Sequence, residues 1–432
     1  MKIINKIIES KWIKNVSYVF LGKCIAMGFL QLFDIVIARK LTIQAYSEWA
    51  YFFSILSILF YVGWLGVNVS SKVYISKAEN FIVRDKYIKA ALCVRLTVSI
   101  IITVLILVFA PVIASLLGYP DKYPNLFFLI YLAAFIVFVN SYVDFFKNVY
   151  QAVESFELMS VATAIEYVGY FLFACVFICI RSDVRMVALA YLTANIITLA
   201  YNGSTLIKKL DYHKVDLVYE KAKEIFRYAI PMAFISMGCV LLAEIDIVML
   251  GMFGTKADVS IYSISKHISD KATHVNEALI TGTITSFAIV NSENINKKIE
   301  QFKKIERINI FASLITSVLL AVIGFIGIPL FYGEIYKGAS IIMYMLIPYY
   351  ILFGISNLYA RMLDYQGGAW KRSVWFISAL IINIVCNYIM IPIWGAYGAA
   401  VSTIISLVPY TIYTIVALKR LFLKFQIHGF LK

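Results

Sequence analysis

About twelve stretches of this chain are apolar over the roughly 20 residues that a helix needs to cross a hydrocarbon layer about 30 Å thick. They run over 15–38, 47–69, 90–110, 126–146, 158–180, 186–207, 228–250, 259–289, 308–331, 338–360, 373–392 and 396–418. The runs are continuous and do not alternate with period two, which argues against a β-barrel. Turn residues separate them, as in Leu117-Gly-Tyr-Pro-Asp-Lys122 and Arg181-Ser-Asp-Val-Arg185. With 62% hydrophobic and 15% charged residues, a water-soluble fold would leave large apolar patches in water. A soluble enzyme and a disordered chain are both excluded, and an all-α polytopic membrane protein is expected. The first stretch starts late and carries Lys23, Gln31 and Asp34, so it does not read as a cleavable signal peptide.

The net charge of +14 belongs to the same picture. With the N-terminus placed inside, inner loops hold roughly four times as many Lys and Arg as outer ones, which puts both termini in the cytoplasm. Nucleic acid is not needed to account for the excess. The main inner loops, 72–89, 208–227 and 291–307, mix charges at helical spacing and are expected to form short surface helices.

The two halves resemble one another. Tyr18, Met27 and Gly28 fall 210 residues before Tyr228, Met237 and Gly238, and Asp34-Ile-Val36 falls 212 before Asp246-Ile-Val248. Two six-helix lobes in the same membrane sense follow, 1–207 and 228–432, joined by a linker over 208–227. Such lobes imply a central cavity and alternating access. No P-loop, dinucleotide fingerprint, nucleophile elbow, zinc-binding motif or paired-cysteine framework occurs, so no enzyme motif and no cofactor are expected.

Ionisable residues inside apolar spans are expensive and normally face water or a partner. In the eighth span Lys266, His267, Asp270, Lys271, His274, Glu277, Thr281 and Thr285 share one side at 100° per residue, opposite Ile268, Ala272, Val275 and Leu279. That stripe is expected to line water, with Lys266–Asp270 and Asp270–His274 pairing as the plainer alternative. Lys23, Arg95, Lys266, His267, Lys271 and His274 are the candidates for cavity or substrate contact. Asp34, Glu166, Glu244, Asp246, Asp270 and Glu277 are candidates for ion coupling or charge pairing, and H+ or Na+ would be the coupling ion. Trp49, Trp64, Trp370, Trp375 and Trp394 are expected in the interfacial belt.

Several segments resemble one family. Tyr228-Ala-Ile-Pro231, Asp246-Ile-Val-Met-Leu250, Gly254 and Ile261-Tyr262-Ser263 are similar to the seventh-to-eighth-span signature of the O-antigen and polysaccharide-unit flippases. Phe331-Tyr-Gly-Glu-Ile-Tyr-Lys-Gly-Ala339 resembles the segment before their tenth span. Ile391-Pro-Ile-Trp-Gly-Ala-Tyr-Gly-Ala-Ala-Val-Ser-Thr403 resembles the turn between their last two, with Ser402 where Ala is frequent. Ala38-Arg-Lys-Leu41 and Tyr150-Gln-Ala-Val-Glu-Ser-Phe156 match more loosely. The superfamily also holds multidrug exporters and lipid II flippases, and the two extra C-terminal spans typical of the latter are lacking.

The resemblance implies two lobes around a cationic central cavity in a bacterial inner membrane. It implies an undecaprenyl-pyrophosphate-linked oligosaccharide as substrate. Membrane lipid, a polysaccharide polymerase and a chain-length regulator are the partners it suggests. A cation-coupled multidrug exporter is the first rival. A membrane glycan polymerase or ligase is the second, disfavoured because the outer loops are short.

Overall fold

The computed structural model describes residues 11–209, 216, 219–283, 295–366 and 368–430. Among these residues every regular element is a helix: α1 (Lys11–Lys40), α2 (Ile43–Trp64), α3 (Val67–Ser76), α4 (Phe81–Leu116), α5 (Leu126–Ala152), α6 (Phe156–Ile180), α7 (Val184–Lys209), α8 (Tyr219–Phe253), α9 (Lys256–Ser269), α10 (Lys271–Thr283), α11 (Ile295–Val322, continued by a π-helical stretch Ile323–Tyr332), α12 (Gly338–Tyr365) and α13 (Ala369–Phe430). Ten helical stretches are long and apolar enough to cross a membrane. The 57-residue one, Trp370–Gln426, breaks at Gly395, and α9 with α10 makes one more crossing length, which brings the count to the expected twelve.

Large apolar side chains stand exposed along α4 (Ile100, Val104, Val108) and α11 (Phe311, Leu314, Val318, Phe325). Faces of that kind suit hydrocarbon, where helices satisfy their own backbone groups.

The contacts divide the chain into two compact units, Met1–Glu244 and Ile245–Lys432. The division falls inside α8, whereas the sequence places a linker at 208–227, much of which lies outside the described residues. The front of α8 packs into the first unit: Ile225 and Ala229 are buried in one core with Val67, Ala90, Ala91, Phe145 and Val149.

In the first unit α1 lies along α6, and α5 packs on α3, α4 and α7. The second span is interrupted where Leu65 and Gly66 take left-handed backbone angles (φ 42° and 68°). A Cβ at Gly66 would lie 2.1 Å from the Ala229 carbonyl oxygen, so glycine is required for both the turn and the close approach. In the second unit α12 packs on α13, α11 and α9. The break at Gly395 (φ 54°) is held by Asp258. Its carboxylate accepts from the Ala396 backbone N–H (3.0 Å) and from Thr255 in a capping box at the start of α9.

Of the inner loops, residues 72–76 end the short helix α3, and the other helical parts described extend neighbouring spans. Residues 81–89 begin α4 and 295–307 begin α11, as extensions of the spans that follow. The end of the eighth span, from 284 through Thr285 to 289, lies outside the described residues, as does 291–294.

Candidate functional site

The first unit holds a cavity of about 390 Å³ between α1, α5 and α6, lined by both apolar and polar side chains. Tyr18, Lys23, Asp144, Lys147, Asn148 and Tyr167 are among its walls. Lys23 is exposed and meets no acid or hydrogen-bond partner among the described residues. Asp144 accepts from the side-chain amides of Asn68 (2.8 Å) and Asn148 (3.0 Å). Lys147 reaches from the cavity wall to Glu166, Nζ to Oε2 2.8 Å.

Glu166 is 2% exposed and its other oxygen accepts from the Tyr170 hydroxyl at 2.8 Å. Behind it Asn195 donates to the Tyr170 hydroxyl (3.1 Å) and accepts from Asn140 (3.1 Å). An ammonium and a hydroxyl thus stand where this buried side chain has given up water.

Asp34 is buried on α1 and accepts from Tyr46 at 2.9 Å. In the second unit Asp246 is buried on α8 and accepts from Tyr262 at 2.8 Å. Each acid is thus held by a tyrosine of the next helix, a physical counterpart of the 212-residue offset. Asp246 gathers more: Thr403 at 2.9 Å, Asn387 at 2.8 Å and the Lys266 ammonium at 3.5 Å. Asn387 also binds Asn383, while its own Oδ1 is buried without a partner.

The remaining sequence candidates are dispersed. Arg95 is wholly buried away from the cavity walls. Its guanidinium binds the carbonyls of Gly63 and Trp64, Asn68 Oδ1 and Ser99 Oγ. The break at Leu65–Gly66 deprives those carbonyls of helical partners, and Arg95 satisfies them.

Along the eighth span the expected polar side is buried at Lys266, half-buried at His267, Asp270 and Lys271, and exposed at His274 and Glu277. Asp270 joins α9 to α10 with helical backbone angles (φ −58°, ψ −26°), its N–H donating to the Lys266 carbonyl at 2.8 Å. Lys266 is buried against Asp246, and Val275 on the expected dry side is exposed like His274. The expected pairs differ as well: Asp270 accepts from Tyr350 (2.7 Å) and His274 meets Glu277 (3.4 Å). Lys271 binds the carbonyl of half-buried His267 (2.7 Å), and Glu244 is half-buried on α8.

Trp49 does not face the surroundings of the protein. It is buried among Phe33, Phe52, Phe53 and Tyr191, whereas Trp370, Trp375 and Trp394 are exposed.

Lys147 is absent from the sequence candidates because the fourth span was drawn to 146, whereas α5 runs on to Ala152. The signal available was an uncompensated acid, Glu166, one helix later. Among the described residues no three His, Cys, Asp or Glu side chains cluster to hold a metal. An ion here would therefore depend on one carboxylate and neutral oxygens.

Known proteins place this geometry. A probable low-salt glycan biosynthesis flippase of Haloferax volcanii is 24% identical over 248 residues, 55% of this chain and 50% of that protein. The chain thus matches about half the length of this curated relative. The fold is similar to an inward-facing multidrug resistance MATE family transporter of the MOP superfamily, with TM-score 0.72, 15% identity, and 94% and 98% of the two chains covered. It is similar also to the lipid II flippase MurJ in an inward closed conformation, with TM-score 0.73, 13% identity, and coverage of 97% and 91%. The family described as "Polysaccharide biosynthesis protein" matches residues 12–272, more than half of the sequence, and the chain belongs to that family.

Proposed function

We propose that the chain is a flippase. It carries an undecaprenyl-pyrophosphate-linked oligosaccharide, an O-antigen or other surface polysaccharide unit, from the cytoplasmic to the periplasmic leaflet of a bacterial inner membrane. The observation that carries this reading is the exposed ammonium of Lys23, which meets no partner among the described residues, on a cavity that Lys147 also lines. A pyrophosphate diester is costly to desolvate, and ammonium groups at a cavity wall replace part of its hydration. The lipid tail can remain in hydrocarbon while the head group passes. Membership of the polysaccharide biosynthesis family and the likeness to a glycan flippase support the substrate class.

Both termini lie in the cytoplasm on this reading, and transport proceeds by alternating access of two lobes coupled to H+ or Na+. A polymerase and a chain-length regulator would act on the delivered unit. As a transporter the chain catalyses no covalent step.

The test is complementation of a strain deleted for the gene. Lys23→Gln should abolish most surface glycan while the protein reaches the membrane at normal level, and Lys23→Arg should restore it. Full surface glycan with Lys23→Gln would sink the reading. The fold likeness to a multidrug transporter supports a second reading, export of organic cations. In that case efflux of a cationic dye should depend on the chain and survive Lys23→Gln.

A further inference from the structure

Lys147 stands between two anion positions. Its ammonium holds Glu166 at 2.8 Å, yet its side chain lines the cavity that Lys23 also lines. Glu166 itself is not on the cavity wall and is nearly fully buried. A phosphate anion entering beside Lys23 would find Lys147 as the second cation within the same walls, and it would compete with Glu166 for it.

We propose that Lys147 is an exchangeable partner: the head-group phosphate takes its ammonium from Glu166, and Glu166 takes up a proton from the cavity water in return. The inference rests on the flippase reading and deepens it. The step balances simply. The empty site holds an ammonium and a carboxylate. The loaded site holds an ammonium facing phosphate, and a neutral carboxylic acid formed by one proton from solvent. No other bond is made or broken. The reason for the proton is burial, since a carboxylate this enclosed that loses its ammonium is more stable neutral. Tyr170 still donates to Oε1 of the neutral acid, and the new O–H points toward the place that Lys147 leaves.

The surroundings leave Lys147 as the cation to be exchanged. Glu166 is flanked by Tyr167 and Tyr170 on its own helix, Tyr191 and Asn195 on α7, and Asp144 and Lys147 on α5. Tyr61 on α2 lies near Tyr167, and α1 contributes Tyr18 and Lys23 at the cavity, while its Asp34 is bound to Tyr46. Asp144, with its two amide donors, adds negative charge beside Lys147 and does not supply a cation. The empty carrier is neutral at this pair, so a proton is taken on only with substrate.

The experiment is calorimetric titration of the purified full chain with a farnesyl-pyrophosphoryl sugar, a diester whose charges do not titrate near neutral pH. Two buffers of different ionisation heat report the protons exchanged. Uptake of about one proton per probe bound is expected, with affinity falling up to about tenfold per pH unit as pH rises. Glu166→Gln should bind at least as well with no proton uptake, because Lys147 is then uncontested. Lys147→Gln should weaken binding by about tenfold or more, and Lys147→Arg should recover much of it. Binding without proton uptake, or uptake unchanged in Glu166→Gln, would overturn the exchange and leave the flippase reading standing. Failure of the probe to bind the wild-type chain at all would remove both. The pH series on the wild type decides the matter even if Lys147→Gln does not assemble.

Discussion

Glu166 in the first unit and Asp246 in the second are both buried acids that accept from a tyrosine and lie near a lysine, yet they are stabilised in opposite ways. Glu166 has its ammonium at 2.8 Å and one hydroxyl. Asp246 accepts from a phenol, a hydroxyl and an amide at 2.8–2.9 Å, and its ammonium is at 3.5 Å. The first acid leans on a charge that reaches a cavity. The second leans on neutral donors contributed by α9 and α13, with Lys266 as a looser partner. A charge partner can be taken away by a competing ion, whereas a shell of neutral donors fixes the acid in place. The first arrangement therefore suits exchange and the second suits anchorage.

The largest effect that would break this comparison is at Asp246. Asp246→Ala strands Lys266, Tyr262, Asn387 and Thr403 together and should destabilise the second unit by about 3–5 kcal/mol, read as a lowered unfolding midpoint in detergent. A loss under about 1 kcal/mol would mean the donors find other partners and the anchoring role is wrong.

The next test contrasts the lysines. Lys147→Met removes the close ammonium of Glu166 and should cost about 2–3 kcal/mol, while Lys266→Met leaves Asp246 its neutral donors and should cost about 1 kcal/mol. The reverse order would invert the comparison.

Smaller still is the turn at Gly395. Asp258→Ala removes a capping box and the contact to Ala396, worth about 1–2 kcal/mol, and should be seen first as faster amide exchange around residues 395–397.

The smallest effect lies in the 181–185 turn of the first unit. Burial pushes the Asp183 carboxyl up, but hydrogen bonds from Arg185 and the charges of Arg185 and Arg181 more than reverse this, leaving it below the usual carboxylate range. Its contribution is present above the unfolded value near 3.9 and lost as pH falls through the lower folded value. After solvent screening it amounts to no more than about 0.5 kcal/mol. Asp183→Asn should lower stability at neutral pH by that amount, leave it nearly unchanged below the folded value, and so flatten the acid side of the stability profile.

Span number, the recurrence of Asp34 as Asp246 and the break between the last two spans were legible in the sequence, because hydropathy and a repeated pattern can be read without knowing any partner. The partners were not. Lys147 sits 19 residues from Glu166 on a neighbouring helix, and no period along one helix connects them. Arg95 reads as a spare charge until the break at Leu65–Gly66 exposes the carbonyls that it binds. In the eighth span the stripe shows where polar groups stand but not that Lys266 and Asp270 are met by Asp246 and Tyr350 from other helices. Polarity in a span marks a need for a partner, and protein fills that need as well as water does. Trp49 went the same way: an indole suits an interface, but here an aromatic cluster buries it.

The first unit borrows the front of α8, which supplies Ile225 and Ala229 to its core. On a growing chain this sets an order of events. Six spans have left the ribosome by residue 207, yet the carbonyl that packs on Gly66 does not exist until Ala229 has been made. Domains assemble largely as units during synthesis, so the first half matures only after the seventh span has begun to emerge. A gene divided at 207 would yield a fragment missing part of its own interior. One divided in the turn between Phe253 and Lys256 would keep α8 whole with the first half but part Asp246 from Tyr262, Asn387 and Thr403, so α8 is an element that neither half can give up.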